Sequence, residues 1–282
     1  MKYRKIRVLS GKGSSPGRFS ETLRGIAVDR AGLIHAVGDC EVKVFDVKGK
    51  LQRRYRTTRP GVCIAVDRDG TTHVGQAGQV EKFDCSGKKL PPWRDADRMG
   101  LVTAMGFLPE SILLADAQDR CIRRFDRKMV WLNDIGKDNN TRGFLIPNGH
   151  LDFQVDPEGI IHATNPAKFR VEKYTLEGKM VGRFGHFGVH RPENFPGCCN
   201  PTNIALTREG NIVVTEKAGP RMKVFDPDGK MLALVGSDAF DAGCKNMDVA
   251  VDAQGRIFVV DTVRLHICVF AREKPEKTED RK

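Results

Sequence analysis

The residue types that build binding or catalytic sites concentrate in the second half of this 282-residue sequence. Cys198 and Cys199 stand together in "FPGCCNPTN", and Cys244 stands in "DAGCKNMDV". Each motif leads into a short apolar run, and counting back from Ile204 and Val249 puts Cys199 and Cys244 at equivalent places. Three thiols near one rim have the chemistry to bind a thiophilic metal, hold an iron–sulfur cluster or form a disulfide. An all-thiolate tetrahedral site needs a fourth donor, and loop position offers His186, His190 or Cys63. The competing reading is that cysteine is a small, frequently buried residue and that Cys-Cys-Asn-Pro shapes a turn. His186 and His190 lie in "GRFGHFGVHRPENFPGCC", where an imidazole is also placed to act as a general base. Cys40, Cys85, Cys121 and Cys268 have no matching partners and are expected to be structural.

A second set carries oxygen. Asp152, Asn203 and Asp248 each directly precede an apolar run, and Asp116, Glu216 and Asp261 each close the run that follows one. Gathered on a small ring, they are the ligand types of a hard cation such as calcium. An Asp that closes such a run also caps turns and backbone amides, the favoured role for Asp116 and Asp261. Asp152, Asn203 and Asp248 stand out because the corresponding places elsewhere hold Gly25, Cys63 and Ala104.

The word "corresponding" rests on an internal repeat. Segments such as "GIAVDRAGLIHAVGDCEVKVFDVKGK" and "NIALTREGNIVVTEKAGPRMKVFDPDGK" share one phrase, with a degraded copy at "AMGFLPESILLADAQDRCIRRFDRK". The first strand residues are Ile26, Ile64, Met105, Phe153, Ile204 and Val249, at intervals of 38, 41, 48, 51 and 45 residues. Within a copy, an apolar strand meets an Asp/Glu-Gly turn and a second strand. A third strand ending near Phe-Asp and a Gly-Lys turn then lead into a fourth. Gly32, Gly70, Gly159, Gly210 and Gly255 fall where the first turn needs a positive φ, and Gly49, Gly87, Gly178 and Gly229 recur at the second turn.

A period of this length predicts one four-stranded blade per copy, hence an all-β, six-bladed β-propeller. The last copy has only three strands, while "RKIRVLS" is an orphan strand ahead of the first. The N-terminal strand is therefore expected to close the last blade and satisfy its open edge. The propeller spans residues 1–271, and 272–282 form a charged C-terminal tail expected to be disordered. Positions before inner strands and after second strands gather at one channel mouth, which makes that mouth of blades four to six the expected binding site.

The repeat phrase resembles the NHL repeat, in which a Gly-Ile-Ala-Val-Asp strand precedes a Gly turn, an apolar strand and a Val-x-Val-Phe strand. The resemblance covers residues 17 to 270. It implies a propeller and leaves the chemistry open, because NHL-type propellers include RNA readers, protein-binding scaffolds, an amidating lyase and distant lactonase relatives. The amidating lyases use channel histidines on zinc, and here His150 alone lies close to an inner strand. The lactonase relatives hold a channel calcium with Glu, Asn and Asp, types that Glu216, Asn203 and Asp248 supply.

Composition narrows the classes. No run of 18 apolar residues occurs, so no membrane-spanning helix is expected. The first ten residues lack a signal-peptide core, and the chain reads as cytoplasmic as it stands, or as exported if a leader was removed. Eight cysteines without regular pairs argue against a disulfide scaffold. A net charge of +11 makes an anionic partner plausible, although the basic residues are spread along the whole chain. "SGKGSSPG" lacks the full phosphate-loop pattern, and no serine nucleophile elbow or dinucleotide fingerprint appears. Three functional readings follow. The first is a scaffold that binds a protein or small-molecule ligand at the mouth. The second is a metal-dependent protein or enzyme built on Cys198, Cys199 and Cys244 or on a channel calcium. The third is a nucleic-acid binder that uses its basic surface.

Overall fold

The computed structural model describes residues 1–139, 141–217 and 219–273. Each of the first five repeats folds into four antiparallel strands in sequential order, and the sixth into three that the N-terminal strand completes, as the alternation of apolar runs and tight turns requires. The inner strands are Gly25–Val28, Cys63–Val66, Val102–Phe107, Phe153–Val155, Asn203–Leu206 and Val249–Val251. Six such sheets around one axis make a six-bladed β-propeller, with the degraded copy as blade three. Among the described residues the only helices are single 3-10 turns at Pro166–Lys168 and Ser237–Ala239.

The first turn shows why the phrase repeats. In blade one the Gly32 amide donates to the Asp29 carbonyl at 3.0 Å, and the Leu33 amide donates to the Asp29 carboxylate at 2.8 Å. Gly32 then sits at φ 79°, where a side chain would be strained. All nine turn glycines expected to need positive φ have it, between 74° and 89°.

The blades pack through a fixed aromatic at the end of the third strand. Phe45, Phe83, Phe125, Tyr174, Phe225 and Phe270 are all buried at 2% exposure or less. Phe19, Phe144, Phe195 and Phe240, from the linkers between blades, are buried as well. In blade one the second strand passes so close to the linker that a Cβ on Gly38 would fall on the Thr22 carbonyl oxygen.

The ring closes through its N-terminal strand. Tyr3–Ser10 pairs antiparallel with His266–Arg272, from Tyr3 opposite Arg272 to Ser10 opposite His266. The Glu273 amide adds a bond to the Lys2 carbonyl at 2.9 Å. The closing strand thus reaches Arg272, and residues 274–282 of the expected tail lie outside the described residues.

Candidate functional site at the channel mouth

Three of the six residues that precede the inner strands come together in the channel. The Asp152 carboxylate accepts from the Phe153 amide at 2.8 Å and from the Ile204 amide of blade five at 2.9 Å. Asp248 repeats this one blade further round, accepting from Val249 at 2.9 Å and from Ile26 of blade one at 2.7 Å. Each carboxylate therefore staples its blade to the next. Asn203 lies between them, and its Nδ2 donates to Asp248 at 3.4 Å and to His150 Nε2 at 2.8 Å.

That amide fixes a tautomer. The carboxylate selects the NH2 side of Asn203, so Nε2 of His150 must accept and the proton of the neutral ring sits on Nδ1. Burial holds the His150 imidazole down to about 4, which keeps the ring neutral at ordinary pH. Its Nδ1–H has no partner among the described residues. Asn203 is 1% exposed, and its Oδ1 is buried without a partner.

No cationic side chain pairs with Asp152 or Asp248 among the described residues. Burial pushes the Asp248 carboxyl up to about 6. Burial, followed by the charge on Asp248, holds Asp152 well above the usual carboxylate range. Cys63 shares this layer. Burial and then the charges on Asp248 and Asp152 raise its thiol, which faces the Val102 carbonyl at 3.5 Å.

Above the cluster opens a cavity of about 370 Å³. His150 lines it with Arg24 and Lys245, and Leu23, Val62 and Leu101 supply an apolar wall. Asn148 and Asn246 reach across the mouth to each other at 2.9 Å. Arg24 and Lys245 make no ion pair among the described residues. The opposite end of the channel is bordered by Val28, Val66, Phe107, Leu206 and Val251 together with Asp67, Arg68 and Gln154. The cavity draws on blades one to three, four and six, a wider arc than the sequence indicated, while blade five supplies Asn203 beneath.

The other expected oxygen donors point elsewhere. Glu216 is fully buried inside blade five, paired with Lys223 at 2.5 Å and Arg221 at 2.8 Å. Asp116 accepts from the Gly100, Leu101 and Gln118 amides and pairs with Arg123. Asp261 accepts from the Asp241, Val263 and Arg264 amides. These two pin the loops that form the mouth.

The cysteines are all free thiols. Cys244 donates to Asp261 at 3.2 Å, whereas Cys199 faces Cys198 and Lys217. Among the described residues no three His, Cys, Asp or Glu side chains form a group able to hold a metal ion. His186 and His190 are exposed on the loop before Cys198, away from the channel cluster. Sequence reasoning passed over Arg24, Lys245, Asn148 and Asn246. The available signal was "NGH" at 148–150, directly ahead of an inner strand.

No family model matches the chain, and no curated protein matches it either. Solved structures do. A Bacteroides thetaiotaomicron protein of unknown function superposes with a TM-score of 0.69 at 15% identity, covering 95% of this chain and 75% of that one. A streptogramin B lyase gives 0.64 at 11%, covering 94% and 97%. The WD40 β-propeller domain of Doa1 gives 0.65 at 11%, covering 96% and 98%. At these identities the likeness establishes the propeller fold. Among the described residues no helix is long and apolar enough to cross a membrane.

Proposed function

We propose that this is a binding propeller of the NHL kind whose polar channel mouth recognises a small ligand. One observation carries the reading: His150, whose Nδ1–H has no partner among the described residues, lines a mouth cavity, and the unpartnered Oδ1 of Asn203 is buried beneath that ring. A buried polar atom without a partner costs about 1–3 kcal/mol, and a ligand that supplies the missing bond recovers it. The cavity falls within the size range of small-molecule sites, roughly 300–1,000 Å³.

The test is a thermal-shift screen with small acids, amines and sugars. Compounds that stabilise the wild type should lose their effect in His150→Phe and in the Arg24→Glu/Lys245→Glu double variant, both checked for folding by circular dichroism. Stabilisation that persists in both variants would refute the mouth as the site, as would a screen without a stabilising compound.

A second reading has its own support. Asp152 and Asp248 both lie within hydrogen-bonding reach of the Asn203 amide and have no cationic side chain beside them, and paired carboxylates are the ligand type of a hard cation. Calcium should then raise the melting temperature of chelator-treated protein, and Asp248→Asn should abolish the rise. An equal response in wild type and variant rules the channel out as its site.

A further inference from the structure

Two inter-blade linkers of this ring are built alike. Before blade one, Phe19 donates its amide to the Gly11 carbonyl at 3.1 Å and accepts from the Gly13 amide at 2.9 Å. Before blade five, Phe195 donates to His186 at 3.0 Å and accepts from Gly188 at 3.4 Å. Beneath each, a lysine from the third strand is capped by the residue before the phenylalanine. Lys43 donates to the Arg18 carbonyl and Lys223 to that of Asn194, both at 2.5 Å. Each ammonium lies over the phenylalanine ring, at 4.8 Å for Phe19 and 4.7 Å for Phe195.

The residue bracketed by this pattern is Lys12 in the first linker and Phe187 in the second. The architecture thus accepts a lysine there, yet blade five presents an aromatic ring that is 56% exposed. Val189, two residues on, is 62% exposed. Phe187 rests edge-on against Phe169 at 5.1 Å, and Phe169 itself occupies the left-handed region at φ 54°, an unfavourable place for a bulky residue. The apolar lip is therefore held on a rigid base, and folding of the ring does not require it.

Its charge indicates the occupant. Residues 183–200 carry two arginines, Arg183 and Arg191, against one acid, Glu193, and Arg191, 78% exposed, lies 3.9 Å from that acid. We propose that this lip docks an acidic linear segment of a partner protein, which seats one apolar side chain on Phe187 and Val189. The aliphatic exposure of Val189 and the modest local charge favour a peptide over a phosphate backbone, whose binding depends on many cations.

Fluorescence anisotropy with a labelled peptide of acidic residues around a single phenylalanine tests this. The wild type should bind it about tenfold or more tightly than the same peptide with alanine in place of phenylalanine. Phe187→Lys copies what the first linker already holds, so it should keep the melting temperature and lose the same factor. Arg191→Glu should weaken binding most at low salt. Three results would each overturn the proposal: no binding by the wild type, equal binding by Phe187→Lys, or preference for a labelled single-stranded oligonucleotide.

Discussion

Backbone amides favour the carboxylate form of Asp248 and Asp152 while burial resists their ionisation, and for both burial prevails. A carboxyl raised to about 6 in the folded protein favours the protonated form, so its contribution to stability is full below the unfolded value of 3.8 and is lost as pH rises through 6. The difference in unfolding free energy between wild type and Asp248→Asn should accordingly shift by about 1–2 kcal/mol between pH 4 and pH 7 in urea titrations, to the disadvantage of the wild type at pH 7. A flat difference removes the raised carboxyl from the account. His73 behaves in the opposite sense. Burial lowers it to about 4, so its contribution is present above pH 6.5 and is lost as pH falls toward 4. His73→Phe should shift the acid unfolding midpoint to lower pH, measured by circular dichroism. Asp152, Asn203 and Asp248 were legible in the sequence because the repeat puts small or apolar residues at their places elsewhere. Arg24 and Lys245 were not, since their positions depend on loops whose lengths differ from blade to blade.

At the scale of the strand, the repeat phrase reported how far along a blade a residue sits and left open what reaches it from the neighbouring strand. Glu216 is the instructive case. Its place at the end of a second strand suggested a channel ligand, but the third strand brings Arg221 and Lys223 against it inside the blade. Lys223→Met leaves buried Glu216 with Arg221 as its one remaining cation and should cost about 1–3 kcal/mol in chemical denaturation, whereas Lys223→Met with Glu216→Leu should recover part of the loss. The turns were fully legible, because Gly after Asp names a backbone conformation. Gly38 was not, since its requirement comes from a linker fifteen or so residues away. Gly38→Ala drives a Cβ onto the Thr22 carbonyl and should lower the melting temperature far more than Gly32→Ala, whose Cβ meets nothing within 4 Å.

For the whole molecule, the count of blades and the closing strand followed from the spacing of copies and one orphan strand, and both are present. Removing residues 1–10 should leave the His266–Arg272 strand with an unpaired edge. Size-exclusion chromatography should then show association, and calorimetry a broader transition at lower temperature. A monomer that melts like the intact chain would mean that the ring does not depend on this latch.

The latch also has a direction. Because Tyr3 faces Arg272 and Ser10 faces His266, a pull applied through Lys2 and Glu273 loads the pair at one end, so its hydrogen bonds break in succession, as in a zipper. The same strands pulled through Ser10 and Arg272 would have to slide past each other and break together. Attached by its two ends, this otherwise rigid ring is mechanically soft at a single seam and would yield first by swinging blade six open.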